Sequence, residues 1–557
     1  MRIRDASRNI DRILILAVAA LIVIAAIEVS STWKVFSPTV DEPFHIAAGM
    51  QWLDKGSYSY GLENPPLARA VIAIGPYLKG LRSFSKSNGD DEGIAILYST
   101  RDSMANLAAA RSGNLPFLVL ACFVVFLWAR RWFGRSAAFW SVLLFVSLPP
   151  ILGHAGLATL DMASAATVIT ALYIFMLCLE NPTTARLVLL GASLALAVLC
   201  KFSSIAFLGA SLLFTGLYFT IRARSKLTPS FSWRRIRAQS AIVGTVIVIC
   251  LWAGYRFSLT PLEAHSGGPA ITGIDRTIDG MPILRNLAYR AVRTPIPLTE
   301  FMRGIQNLTF HNTSGSEGYL FGRYSRSGFW YFFPVVLAVK TPIGFLILAV
   351  GGILALLSKF RTRTWQQGLT VVFPFAILLI GMAARINLGV RHILAIYPFL
   401  AVIAGFSMSE LIRAARTTRW MMLLPLTLAL WVVTDSWTAR PDYLAWFNRF
   451  AGDRPETVLA ESDLDWGQDL LRLRNRLVEL HVIHAGIGYF GSVPLEKADL
   501  PPYTELSETI PVTRGFVAVS VRYITLEYVK RGAYAWLKDH KPVERIGKSI
   551  YLYNFGE

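Results

Sequence analysis

The sequence predicts an α-helical polytopic membrane protein that carries a small water-facing α/β domain at its C-terminal end. Three observations carry this prediction. Of 557 residues, 54% are hydrophobic and 16% are charged, whereas an ordinary soluble protein is about 25% charged. The mean hydropathy is +0.46. The apolar residues gather into about eleven runs near the length that crosses a bilayer as a helix. The basic residues cluster between those runs on one side.

The runs fall at 13–31, 114–130, 137–152, 162–179, 186–200, 203–221, 239–255, 330–358, 368–384, 391–411 and 420–436. The run at 330–358 is long and contains Lys340-Thr341-Pro342. A kink there, or a shallow entry followed by a span, is expected. Arg2, Arg4, Arg8 and Arg12 place the N-terminus in the cytoplasm. Alternating from there, Arg130 and Arg131 fall inside. So do Arg222, Arg224, Lys226, Arg234, Arg235 and Arg237, then Lys359, Arg361 and Arg363, and then Arg413, Arg416 and Arg419. A cleaved signal peptide is the alternative for the first run, but that run is long and no small-x-small site follows it.

A membrane domain over 1–437 is therefore expected, with outer loops at about 32–112 and 257–328, followed by an extracytoplasmic tail at 438–557. Within the tail, Phe516-Val517-Ala518-Val519-Ser520-Val521 and Ser549-Ile550-Tyr551-Leu552-Tyr553 alternate with strand period, and 467–480 has helical period. This membrane is expected to be a bacterial plasma membrane.

The net charge of +19 would suggest nucleic acid on a soluble protein. Here the excess is what cytoplasmic loops accumulate, so no nucleic-acid partner is expected. Cys122, Cys178, Cys200 and Cys250 lie in or beside apolar runs without metal-ligand spacing. His45, His154, His311 and His392 are scattered, with no pair at ligand spacing. No metal site is expected.

Asp41-Glu42-Pro43-Phe44-His45 opens the first outer loop. Phe44, Ala47, Ala48 and Trp52 recur at helical spacing, which predicts an amphipathic helix lying on the membrane. On spacing alone, the acidic pair reads equally as a helix cap. Glu63-Asn64-Pro65-Pro66-Leu67-Ala68-Arg69 predicts a turn into a second amphipathic helix at about 67–82. Asp161, Lys201, Arg111 and Arg391 each stand at the predicted outer end of a span. Any one of them reads as a snorkelling charge. Together with Asp41 and Glu42 they define a candidate site on one face, with carboxylates for base catalysis and cations for a phosphate. Asp463-Leu464-Asp465-Trp466 looks like the metal–nucleotide acidic pair of soluble sugar transferases, but reads better as a corner in which Asp465 caps the following helix.

These motifs together resemble the protein O-mannosyltransferase and aminoarabinose-transferase superfamily. Asp41-Glu42 is similar to that family's first-loop acidic pair, and Glu63–Arg69 to its His-Pro-Pro-Leu segment with Asn64 in place of His. Ala110-Arg111 and Thr159-Leu160-Asp161 also fit. Tyr331-Phe332-Phe333-Pro334, Lys340-Thr341-Pro342, Asn387-Leu388-Gly389-Val390-Arg391-His392 with Tyr397-Pro398, and Leu464-Asp465-Trp466-Gly467-Gln468-Asp469 resemble a bacterial, family-39-like subgroup. The resemblance spans nearly the whole chain and is best defined over about 35–210.

The resemblance implies a GT-C fold and an inverting glycosyltransferase that moves a sugar from a polyprenyl-phosphate carrier to an acceptor hydroxyl. It implies Asp41 as general base, with Glu42 and Asp161 positioning groups. Arg111, Lys201 and Arg391 would neutralise the leaving phosphate, without a metal or other cofactor. The competing classes are a transporter and a non-catalytic envelope assembly protein. A transporter would place its ionisable residues near the bilayer midplane, whereas these stand at helix ends.

Overall fold

The computed structural model describes residues 2–222, 233–262, 281–359, 362–415 and 419–556. Arg224, Lys226, Arg361 and Arg416 of the predicted basic clusters lie outside the described residues. Every predicted apolar run is helical. Among the described residues, seven helices are long and apolar enough to cross a membrane, or up to nine if each of two bent pairs is one span. The predicted runs at 186–200 and 420–436 form Thr184–Cys200 and Leu423–Ala439, each of 17 residues and thus shorter than any of those seven. In the first span, Asn9–Thr32, Ile13 is 67% and Leu16 69% exposed. Apolar side chains so uncovered along a helix need lipid as their solvent. The protein is thus a multi-pass integral membrane protein.

The break expected near Pro342 is a bend of 120° between Phe332–Lys340 and Ile343–Ser358. Thr341 is extended there, with φ −110° and ψ 133°, because the proline ring excludes a helical conformation from the residue before it.

Four helices form the loop after the first span α1 (Arg2–Thr32): α2 (Glu42–Met50), α3 (Pro66–Leu78), α4 (Gly89–Leu97) and α5 (Ser103–Arg111). The helix α2 does not lie on the membrane as its spacing predicted. Glu42, Pro43, His45, Ile46, Ala47, Ala48, Gly49 and Met50 are all buried. Glycines permit this close packing. A Cβ on Gly49 would lie 2.0 Å from the Arg69 carbonyl oxygen of α3, and one on Gly93 of α4 would lie 1.9 Å from that of Pro43. Helix α2 is thus clamped between two neighbours and shows lipid no apolar face.

The tail contains a five-stranded mixed sheet. Two pairs of short strands precede it: β1 (Leu259–Pro261) with β2 (Pro295–Pro297), and β3 (Gly318–Leu320) with β4 (Arg323–Ser325). The tail strands are β5 (Ala485–Gly488), β6 (Tyr503–Glu505), β7 (Phe516–Ser520), β8 (Glu544–Ile546) and β9 (Ile550–Asn554), in the order β6-β5-β7-β9-β8. The strands β5, β6 and β7 run parallel, while β9 is antiparallel to both β7 and β8. The two period-2 stretches are β7 and β9. The predicted helix at 467–480 is Leu470–Glu479. It buries Leu470, Leu473 and Leu477 in one cluster with Ala485, Ile487, Ala518 and Leu552, the one-sided stripe that a helix on a sheet requires.

The three segments predicted to face outward meet one another. A Cβ on Gly304 would lie 2.4 Å from the Leu62 carbonyl oxygen, so the second outer segment packs on the first loop. Glu317 pairs with Arg522 of the tail at 3.4 Å.

Gly93→Val should destabilise the protein by about 1–3 kcal/mol or more, the usual effect of overpacking, read as a lower thermal midpoint in detergent. Gly209→Ala is the control. Its Cβ would meet nothing within 4 Å, and its midpoint should stay at or slightly above that of the wild type.

Candidate active site

The site is built around residues 33–42. Glu42 and Arg111 form an ion pair whose side chains are both 0% exposed. Arg111 Nε and Nη2 each donate to the Glu42 carboxylate at 2.8 Å. Its remaining N–H groups go to the carbonyls of Trp33, Phe36 and Ser37 at 2.7–2.9 Å. The carboxylate also accepts from the backbone N–H groups of Thr39 and Ala158. All five donors of the guanidinium are therefore used within the protein. Neither residue presents a free polar edge to a substrate.

Asp41 is the next residue, and its side chain turns the other way. It makes no cap hydrogen bond to α2. The carboxylate is 30% exposed and accepts from Arg391 Nη1 at 2.5 Å. The Arg391 guanidinium lies over the Trp466 ring, 4.2 Å from its centroid. Arg391 is delivered by a tight helical turn, Val390–Ile396, that follows Gly389 at φ 133°. A Cβ at Gly389 would lie 2.7 Å from Ser462 Oγ. The Val390 N–H donates to Asp463 Oδ1 at 3.0 Å.

Asp161 begins the helix α6 (Asp161–Glu180) and accepts from Lys201 Nζ at 2.5 Å. Lys201 is 14% exposed and Asp161 2%. The chain turns extended at Lys201, where Thr184–Cys200 ends, and this frees its side chain to reach back. Arg391 acts electrostatically on Asp161, and Asp161 on Asp41, so the two ion pairs lie near enough to feel each other's charge. Burial pushes the Asp41 carboxyl up, and the charge and hydrogen bond of Arg391 oppose this, so it stays below the ordinary carboxylate range.

Spacing alone did not reveal several residues of this site. Trp466 reaches it from the tail, and its ring also packs on buried His154 with centroids 6.4 Å apart. Lys340, 1% exposed, donates to the carbonyls of Leu444 and Asp463 at 2.7 Å and so ties the membrane helices to the tail. Of the two charged residues in the Glu63–Arg69 motif, the buried one is Arg69. The tail docks on the loop before Asp41 through its backbone: Ser37 N–H donates to the Gln468 carbonyl at 2.9 Å and Val40 N–H to that of Trp466 at 3.0 Å.

Asp465 does not cap the helix that follows it. Its carboxylate accepts the backbone N–H groups of Gly467 at 3.2 Å and Arg522 at 3.0 Å. Burial raises its pKa to about 7. Burial likewise raises Glu461 to about 7, against the pull of its partner Arg522. Among the described residues, no group of three or more His, Cys, Asp or Glu side chains could hold a metal ion.

A multi-span helical body, a loop folded back on it and a C-terminal mixed sheet together define the GT-C class of membrane fold. Residues 103–233 match the family described as dolichyl-phosphate-mannose-protein mannosyltransferase, so the resemblance read from the motifs holds over this segment. Among solved structures, ArnT from Cupriavidus metallidurans in the apo state is similar with a TM-score of 0.50 at 15% identity, over 96% of this chain and 97% of that chain. The same protein bound to undecaprenyl phosphate gives 0.48 at 15% identity over the same shares of both chains. The apo oligosaccharyltransferase of Archaeoglobus fulgidus gives 0.49 at 14% identity, over 94% of this chain and 72% of that one. No curated protein matches the chain.

Removing one partner of a buried ion pair leaves an uncompensated charge and typically costs about 3–5 kcal/mol. Glu42→Ala and Arg111→Ala should each lose folded protein by this amount, seen as a large drop in thermal midpoint. Asp41→Asn should keep a midpoint near that of the wild type.

Proposed function

We propose that the protein is an inverting glycosyltransferase. It moves a sugar from a polyprenyl-phosphate carrier to an acceptor hydroxyl at the outer face of the membrane, with the N-terminus in the cytoplasm and the tail outside. The observation that carries this reading is the partly exposed Asp41 carboxylate paired with the largely desolvated Arg391, together with the second carboxylate–cation pair, Asp161 with Lys201.

In this reading Asp41 is the general base. It accepts the proton of the acceptor hydroxyl as that oxygen bonds to the anomeric carbon, while the bond from that carbon to the phosphate oxygen breaks on the opposite face. The leaving group is a lipid monophosphate. Arg391 and Lys201, released in part from Asp41 and Asp161, take up its charge through charge-assisted hydrogen bonds. Asp161 orients Lys201. Glu42 and Arg111, with no free polar edge, serve by holding residues 33–42 in place. A donor carried in the bilayer also accounts for a chain that is mostly membrane helix.

The test uses purified protein in lipid, a panel of synthetic polyprenyl-phosphate sugars, and detection of released polyprenyl phosphate. Asp41→Asn keeps the size of the side chain and removes its basicity. It should fold, bind donor and lose at least about a hundredfold in transfer, within the usual range for general-base catalysis. Arg391→Ala and Lys201→Ala should each raise the donor concentration required by roughly tenfold, since a hydrogen bond to a charged group contributes about 1.5–3 kcal/mol. Full activity of Asp41→Asn overturns the base assignment. Turnover of a nucleotide sugar alone overturns the donor class. Cysteines placed near residues 60 and 500 should label from the same, outer side.

A further inference from the structure

His45 lies on the same buried helix as Glu42, and the scheme above does not use it. Its side chain is almost enclosed, with 7% of the residue exposed. The Arg69 guanidinium donates Nε–H to His45 Nδ1 at 3.1 Å. Arginine has no acceptor and is not deprotonated in proteins, so Nδ1 must supply the lone pair. In the neutral ring the proton then resides on Nε2.

Arg69 cannot readily turn away. It is fully buried, and its Nη1 donates to the Tyr58 hydroxyl and to the carbonyls of Tyr60 and Gly61 at 2.8–3.0 Å. The Phe44 ring lies 5.3 Å from its central carbon. A second proton on the imidazole would set a cation against this fixed cation. Burial, with Arg69 next, accordingly pushes His45 down to about 3. The other charges that act on the ring are Asp41, Asp161 and Arg391, the members of the candidate site. Nδ1 is engaged by Arg69, and Nε2 has no hydrogen-bond partner among the described residues.

We propose that His45 is a specificity-determining residue of this same site: a neutral donor, locked in its Nε2–H form by Arg69, that hydrogen-bonds a hydroxyl oxygen of the lipid-linked sugar. The proposal rests on the glycosyl-transfer reading. A neutral N–H suits a sugar hydroxyl, because Arg391 and Lys201 already provide the positive charge that a phosphate needs. The locked tautomer can only donate at Nε2. It therefore selects a hydroxyl that presents a lone pair at one position on the sugar ring, and an epimer with that hydroxyl displaced leaves the N–H without this partner.

Two substitutions separate this role from a purely structural one. In His45→Asn the side-chain oxygen falls near the Nδ1 position and still accepts from Arg69, while nothing replaces Nε2–H. In His45→Gln the amide nitrogen falls near the Nε2 position and keeps a donor there. The assay is kcat/KM in lipid for the preferred polyprenyl-phosphate sugar and its monodeoxy analogues. The wild type should lose roughly tenfold on one particular monodeoxy analogue, as the loss of one hydrogen bond implies. His45→Asn should show about the same loss on the parent sugar and little further loss on that analogue. His45→Gln should regain part of the discrimination, and it carries the test if His45→Asn does not fold. A folded His45→Asn with the wild-type deoxy profile, or a folded His45→Gln with no discrimination at all while the wild type discriminates, overturns this inference alone. A wild type that turns over no polyprenyl-phosphate sugar overturns the glycosyl-transfer reading, and this proposal with it.

Discussion

The ion pair between Glu42 and Arg111 has no exposed surface, and the placement of Asp41 and of the turn before Asp161 follows from it. A charge buried this deeply persists only if it is paired and its remaining hydrogen-bonding groups are satisfied. Here three carbonyls of the loop after the first span complete the guanidinium, and two backbone N–H groups, that of Thr39 in the same loop and that of Ala158 far along the chain, complete the carboxylate. The pair thereby joins the first loop, the entrance to the second span and the turn before Asp161. Successive side chains on the start of a helix point in different directions. With Glu42 fixed inward, Asp41 points outward. Two adjacent carboxylates thus come to differ in burial, partner and role.

The acidic residues of the tail follow the same physics with different partners. Asp463 accepts the N–H of Val390, Asp465 those of Gly467 and Arg522, and Asp469 those of Lys548 and Ser549. Each satisfies backbone donors at a turn that would otherwise be buried without a partner. That is why an Asp-Leu-Asp segment sits in the interior of this protein, and why its resemblance to a nucleotide-binding pair was only local. The resulting frame holds Gly389 and the turn that presents Arg391.

Much of the fold was legible because hydropathy and period are local properties. The apolar runs, the break at Pro342 and strands β7 and β9 could all be read from neighbouring residues. The burial of α2 could not. Its spacing was that of an amphipathic helix, and only the close approach of α3 and α4 at Gly49 and Gly93 encloses it. The candidate site residues were found by their shared sidedness, which places them on one face and leaves their pairing undetermined. Which cation serves which carboxylate depends on contacts across 350 positions for Asp41 and Arg391 and across 40 for Asp161 and Lys201. The cap reading of Asp41 was reasonable from its neighbours, and the distant arginine displaced it. His45 gave no signal at all, since the bond that defines it joins two helices of the first loop.

The docking of Gln468 and Trp466 onto Ser37 and Val40 also sets an order on biosynthesis. The carboxylate at position 41 enters the membrane system early, when little more than the first span has been made. The ring that supports its arginine partner is added more than four hundred residues later, after every membrane helix has been translated. Until then residues 37–40 have no backbone partner from the tail, and Arg391 has no aromatic surface beneath it. A nascent or truncated chain can therefore be fully inserted and still lack a formed site. The tail thus completes the architecture that the first loop begins.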